Sequence, residues 1–144
     1  MNKSNKRLGL VIATFATITA IFHILFFIAE SVLWLEPYIY QNILANPDPT
    51  IGIDLIEQAR LMETVFFNQG FYNLFLALGL ITGIILAKKD YVDQGFTLII
   101  FCSLFAFGAG VVLAFSAGAF LGAAVQAVPP MIVLGLIGWT SKNE

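Results

Sequence analysis

The longest uncharged stretch of the sequence sets the strongest limit on the fold. No Asp, Glu, Lys or Arg occurs from Gly95 to Trp139. A soluble domain typically carries about 25% charged residues, whereas this chain carries 11%. The bilayer core removes the need for charge, because it accepts apolar side chains on every side of a helix. The sequence therefore predicts an integral membrane protein.

Four apolar segments have the length of about 20 residues that crosses a bilayer. They run over about 8–35, 64–87, 95–115 and 120–139. The tetrapeptide at 116–119 is the expected turn between the last two. The first segment is much longer than the apolar part of a signal peptide, which has about 7–15 residues, so we interpret it as a retained helix. We predict an all-α fold, a four-transmembrane-helix bundle, formed by a single membrane domain over 1–144.

The positive charges predict the orientation of this bundle. Six basic residues fall on one side of the membrane if there are four spans: Lys3, Lys6, Arg7, Lys88, Lys89 and Lys142. The segment 36–63 on the other side contains Arg60 as its only cation. By the positive-inside rule, both termini are cytoplasmic, and the protein is expected in the cell membrane as a multi-pass protein.

The outer loop, residues 36–63, is the one segment with soluble character. The stretch 46–49, Asn-Pro-Asp-Pro, is a turn signal. Asp54 and Glu57 have the three-residue spacing of a capping box, so we expect a helix that begins there and continues into the second span. Three aromatic side chains suit a belt at the outer interface: Trp34, Tyr38 and Tyr40.

Two ionisable residues, His23 and Glu30, interrupt the first span. A charged group at the bilayer centre costs about 2.5–3.5 kcal/mol, so each of them requires an explanation. Glu30 is seven positions after His23, which is about two turns of an α-helix, and this spacing predicts one shared face. Carboxyl and imidazole groups can exchange protons with a bound molecule. Both residues are therefore candidate catalytic residues.

Further polar side chains are predicted at a similar depth, in the outer half of the membrane, when each helix rises about 1.5 Å per residue. The candidate ligand-binding residues are Trp34, Asn68, Gln69, Tyr72, Asn73 and Gln126. A pocket for a polar head group is one interpretation. Simpler interpretations stay open, because polar side chains also join helices to one another in lipid, and Glu30 could face water at the outer boundary.

Several classes of function are disfavoured. A net charge of −2 argues against nucleic acid, which requires a basic surface. One His and one Glu are too few for a metal site, no cofactor motif is present, and Cys102 alone gives no disulfide framework. The expected partners are the lipid bilayer, a lipophilic small molecule and, in a homo-oligomer, further copies of the chain.

The sequence also resembles a known family. The stretch 68–80, which begins Asn-Gln-Gly-Phe-Tyr-Asn, is similar to the signature of small bacterial and fungal membrane proteins catalogued as domain of unknown function 1304. The stretch 23–34 resembles the first helix of that family and 126–129 its last polar motif. Gly is expected where Ala127 stands, and Ala where Pro130 stands. The resemblance implies a four-helix membrane fold and no established activity.

Three functions fit these observations. The first is a pocket that binds or transforms a lipophilic molecule, and the second is a proton-coupled transport component. The third is a structural or accessory protein whose polar cluster only locks helix packing. The cytoplasmic half of the predicted bundle has almost no polar side chains, which argues against a continuous path for transport.

Overall fold

The computed structural model describes residues 3–44 and 52–141, with side chains for 9–44 and 52–140. Within these ranges the helices are α1 (Lys3–Phe27), a π-helical segment (Ile28–Val32), α2 (Pro37–Ile43), α3 (Leu55–Lys88), α4 (Val92–Ala117) and α5 (Phe120–Ser141). The turn predicted at 46–49 lies outside the described residues. The predicted all-α class is confirmed.

In the part of the chain that the structure describes, four stretches are long and apolar enough to cross a membrane: Gly9–Val32, Leu55–Lys88, Val92–Ala117 and Phe120–Thr140. The prediction of a multi-pass, four-transmembrane-helix protein is thus confirmed. The 34 residues of α3 extend about 51 Å at 1.5 Å per residue, well beyond the apolar core of about 30 Å. Its first turns carry Glu57, Arg60 and Glu63, all exposed, as expected for helix outside that core.

Local sequence signals account for several helix ends. Asp54 Oδ1 accepts a 2.9 Å hydrogen bond from the backbone N–H of Glu57, so Asp54 caps α3 as predicted. Gly118, with φ of 63°, adopts the left-handed conformation that ends α4, a conformation that glycine reaches without a steric penalty. The following turn is short, since α5 begins at Phe120. The helix α2 was not predicted, although Pro37 in its first turn is a common helix start.

The chain divides into two compact units, residues 1–23 with 76–144, and residues 24–75. In the first unit, glycines allow α3 and α4 to approach closely. A Cβ atom added at Gly83 would lie 3.0 Å from the carbonyl oxygen of Gly95, and one at Gly79 would lie 2.7 Å from Cys102 Sγ. The Gly79–Gly83 pair therefore packs in the manner of a GxxxG motif.

A second close approach in this unit joins α4 and α5. A Cβ atom at Gly110 would lie 2.8 Å from the Cβ of Ala127. Gly118 and Gly122 have the same GxxxG spacing as Gly79 and Gly83, but they have no close neighbours among the described residues. An added Cβ atom would have nothing within 4 Å at Gly118 and only Leu113, at 3.6 Å, at Gly122. That pair forms no close helix contact in the described part of the chain.

The second unit has a small aromatic core beside α2. Trp34, Tyr40 and Ala59 are buried together, and the indole ring of Trp34 stacks on Phe66 at a centroid distance of 3.7 Å. Tyr38, in contrast, is 80% exposed. Of the three aromatic residues predicted for an interfacial belt, only Tyr38 presents its ring to the surroundings.

Candidate functional site

The backbone around Glu30 departs from α-helical geometry. The N–H of Leu33 donates to the carbonyl oxygen of Ile28 at 2.9 Å, the five-residue spacing that defines a π-helix. The π-helical segment Ile28–Val32 includes both Glu30 and Ser31. Such short π segments within longer helices frequently occur at functional sites, and this one lies at the end of a candidate span.

Glu30 forms a hydrogen bond with Asn73 on α3. The amide Nδ2 of Asn73 donates to Oε2 of Glu30 at 2.8 Å. Asn73 is buried and Glu30 is half-buried. Among the described residues, Oε1 of Glu30 makes no hydrogen bond. The carboxyl group is therefore held to α3 through one of its two oxygens. We call these two residues the Glu30–Asn73 pair.

Next to this pair, Ser31 and Gly70 bring the π-helical segment and α3 together. Ser31 Oγ donates to the carbonyl oxygen of Phe67 at 2.7 Å. A Cβ atom added at Gly70 would overlap Ser31 Oγ and would lie 3.1 Å from Ser31 Cβ. A larger residue at position 70 would therefore force the Ser31 side chain to move and the two segments to shift slightly apart. Because Asn73 is three residues further on, about one turn, Gly70 helps to place its amide beside Glu30.

Aromatic side chains also pack between the end of α1 and α3. The rings of Phe27 and Phe71 meet edge to face, with a centroid distance of 5.2 Å, a favoured geometry for aromatic pairs. Phe67 and Phe71 follow at 5.0 Å. The polar pair thus has aromatic neighbours on the turns that precede Glu30 and Asn73.

The predicted ligand-binding residues of α3 do not all face inward. Asn73 is buried, whereas Asn68, Gln69 and Tyr72 are exposed. Trp34 is buried, and its indole N–H donates to the carbonyl oxygen of Ala59 at 2.7 Å. Of these predicted residues, Asn73 forms a hydrogen bond with Glu30. The indole N–H of Trp34 forms its hydrogen bond within the core of the second unit.

His23 and Gln126 are buried members of the first unit. The side chain of His23 is fully buried, and its Nδ1 lies 2.8 Å from the carbonyl oxygen of Thr19. A carbonyl oxygen only accepts hydrogen bonds, so Nδ1 carries a proton and donates. Gln126 is 8% exposed. These residues belong to a different compact unit from the Glu30–Asn73 pair.

Two polar residues, Ser31 and Ser103, were not identified as candidates from the sequence. Ser31 binds the backbone of α3, and its position beside Glu30 was an available signal. Ser103 is fully buried in the first unit, and its Oγ has no hydrogen-bond partner among the described residues. A lone serine in a long apolar stretch gives no indication of the direction in which it points.

These features define a class: an all-α, multi-pass membrane protein with a hydrogen-bonded carboxyl–amide pair inside its candidate spans. The sequence model of the family described as "Protein of unknown function (DUF1304)" matches residues 17–137. The chain belongs to this family, and the matched region includes every candidate site residue. No curated protein and no solved structure matches the chain.

Proposed function

We propose that this protein binds a lipophilic small molecule through the molecule's polar head, which hydrogen-bonds to the Glu30–Asn73 pair. The observation that carries the proposal is the carboxyl group of Glu30. One of its oxygens is fixed by Asn73, and the other makes no hydrogen bond within the described chain. An ionisable residue in a membrane span is expensive to insert, and it is a functional-site hypothesis by default.

The surroundings of the pair suit such a ligand. Binding sites for small molecules combine apolar and aromatic walls with a few placed polar groups. Phe27 and Phe71 supply aromatic surface, while Glu30 and Asn73 supply the polar groups. A lipophilic molecule reaches this site by partitioning into the membrane, where its polar head gains hydrogen bonds that the lipid tails cannot provide.

Acid–base chemistry is the extension of this proposal. A carboxyl group that hydrogen-bonds to a bound molecule can accept a proton from it or donate one to it. Glu30 is the residue of the pair with that capacity, since the amide of Asn73 does not titrate. The acid–base role of His23 remains a separate prediction, because His23 belongs to the other compact unit.

The proposed orientation places the pair in the outer half of the cell membrane, with both termini in the cytoplasm. This orientation is inferred from Lys88, Lys89 and the basic residues before Gly9, because they lie at the ends of the spans opposite to Glu30. Single cysteines introduced at Gln41 and at Asp90, in a Cys102→Ser background, test it. A membrane-impermeant maleimide added to whole cells should label position 41 and spare position 90, and the reverse pattern would invert the orientation.

Carbodiimide labelling tests whether lipophilic molecules reach Glu30. A carboxylic acid adds to a carbodiimide, and the product rearranges to a stable N-acylurea that peptide mass spectrometry can locate. Lipophilic dicyclohexylcarbodiimide applied to native membranes should modify Glu30, and Glu30→Gln should abolish that adduct. If Glu30 stays unmodified while exposed Glu63 reacts with a water-soluble carbodiimide, the carboxyl group is closed to lipophilic molecules and the proposal fails.

A second candidate function, a structural protein whose polar contacts lock the helices, is favoured by two other bonds. Ser31 donates to the backbone of Phe67, and Trp34 donates to the backbone of Ala59. Both bonds join parts of the second unit that are distant in sequence. In this alternative, Glu30 serves only as the acceptor for Asn73.

A further inference from the structure

A cleft of about 510 Å³ lies in the first compact unit, between α1, α3 and α4. Its lining includes neither Glu30 nor Asn73. Its lining includes Gly9, Ala13, Ala87, Lys88, Phe96 and Ile99. Gly9 begins one candidate span, Lys88 ends the next, and Val92, also in the lining, begins the third. The cleft therefore opens where three spans meet the membrane boundary.

The lining combines apolar walls with one charged side chain. Among the residues whose side chains the structure describes, Lys88 is the only charged one in this lining, and its side chain is exposed. The volume falls within the range of about 300–1,000 Å³ typical of small-molecule pockets. A ligand that fits both features has a long apolar part and an anionic group at the membrane surface.

We propose that this cleft binds an anionic phospholipid, with an acyl chain along the walls and the headgroup phosphate at the ammonium group of Lys88. Basic pockets between transmembrane helices recognise anionic headgroups in this way. In the sequence, Lys89 follows Lys88, and Lys3, Lys6 and Arg7 precede Gly9. Asp90 and Asp93 are the acidic residues of the same segments, so basic residues outnumber acidic ones there, which favours an anionic partner.

Native mass spectrometry can measure the preference directly. Detergent-solubilised protein is incubated with phosphatidylglycerol and phosphatidylcholine that carry identical acyl chains, and the bound lipids are counted. The wild type should retain phosphatidylglycerol in preference. Lys88→Gln should reduce that retention about fivefold, the effect expected for one basic residue at an anionic surface. Lys89→Gln is the matched control, since Lys89 does not line the cleft, and it should reduce retention less.

A second variant tests the cleft itself. An added Cβ atom at Gly9 meets nothing within 4 Å, so Gly9→Leu should occupy cleft space without disturbing the fold. It should reduce retention of both phospholipids. Gly138→Leu is the control, because Gly138 also has open space around it and lies outside the lining.

Equal retention of the two phospholipids by the wild type would overturn the proposal. Equal effects of the two lysine substitutions, or unchanged retention in Gly9→Leu, would also overturn it. Preferential retention of a free fatty acid over phosphatidylglycerol would also overturn it, because the occupant would then be a carboxylate and not a phospholipid. None of these results bears on ligand binding at Glu30.

Discussion

Asn73 Nδ2 donates a 2.8 Å hydrogen bond to Glu30 Oε2 across 43 positions of sequence. The bond joins the π-helical segment to α3, and both partners lie inside candidate spans. Each partner reduces the cost of placing the other in lipid, because an unpaired polar group there costs several kcal/mol. The pair therefore contributes to stability whatever its function.

Asn73→Leu should lower the thermal midpoint in detergent. The substitution removes the donor and leaves the carboxyl group of Glu30 without its partner, which should cost about 1–3 kcal/mol. Asn68→Leu is the matched control, because Asn68 is exposed on the same helix and its substitution should change little. A midpoint unchanged by Asn73→Leu would argue strongly against the structural alternative.

Gly70→Ala should destabilise the protein by about 1–3 kcal/mol, the usual cost of overpacking. The new Cβ atom would overlap Ser31 Oγ, so Ser31→Ala should relieve the largest clash. The double variant should then lose less stability than the sum of the two single variants, as a double-mutant cycle of denaturation midpoints would show.

The matched control for Gly70→Ala is Gly135→Ala. A Cβ atom at Gly135 has nothing within 4 Å, and alanine has the higher helix propensity. This control should be neutral or stabilising. Additive effects of Gly70→Ala and Ser31→Ala would mean that the two residues are not in contact.

Trp34→Phe should keep the stacking on Phe66 and lose the hydrogen bond to Ala59. The buried carbonyl group would lose its side-chain donor, at a cost of about 1–3 kcal/mol. Chemical denaturation followed by circular dichroism measures this loss. Tyr38→Phe removes a polar group from an exposed ring and should have little effect. Equal stability of the two variants would contradict the core role of Trp34.

Gly95→Ala should be among the most destabilising substitutions of the first unit. The added Cβ atom would clash with the backbone nitrogen of Ala87 and lie 2.7 Å from the carbonyl oxygen of Gly83. Backbone atoms cannot move aside as a side chain can, so we expect at least the 1–3 kcal/mol of ordinary overpacking. Gly108→Ala, at a position with open space, should leave the midpoint unchanged or raise it.

Features that depend on local sequence were predictable. The membrane spans follow from composition and length, and the start of α3 follows from the capping spacing at Asp54. The turn at Gly118 lies within the predicted stretch 116–119. It was predictable because few other positions between Gly95 and Trp139 favour a chain reversal. Each of these depends on residues a few positions apart.

Features that depend on helix rotation were not predictable. Counting residues along a span gives depth, but it does not give the direction of a side chain around the helix axis. Asn68, Gln69, Tyr72 and Asn73 were predicted at similar depth, and only Asn73 is buried. The π-helical segment changes the rotation further, and no local signal marks its position in the sequence.

The burial of Trp34 was equally beyond sequence reasoning. Tryptophan at the end of a span usually marks the membrane interface, and the prediction of an interfacial belt followed this tendency. The buried Tyr40 of α2 instead joins Trp34 and Ala59 in a core. The contact depends on pairing between segments that are distant in sequence, such as the 25 positions between Trp34 and Ala59.

The most direct test of the central claim is mass spectrometry of small molecules released from gently purified wild-type protein, Glu30→Gln and Glu63→Gln. Glutamine keeps an oxygen that can accept the hydrogen bond of Asn73, so Glu30→Gln should fold with a thermal midpoint near that of the wild type. Glu63→Gln makes the same chemical change at an exposed position of α3. We predict a lipophilic species retained by wild type and Glu63→Gln and lost from Glu30→Gln. Identical extracts from all three folded proteins would contradict ligand binding at the Glu30–Asn73 pair and leave the helix-locking function.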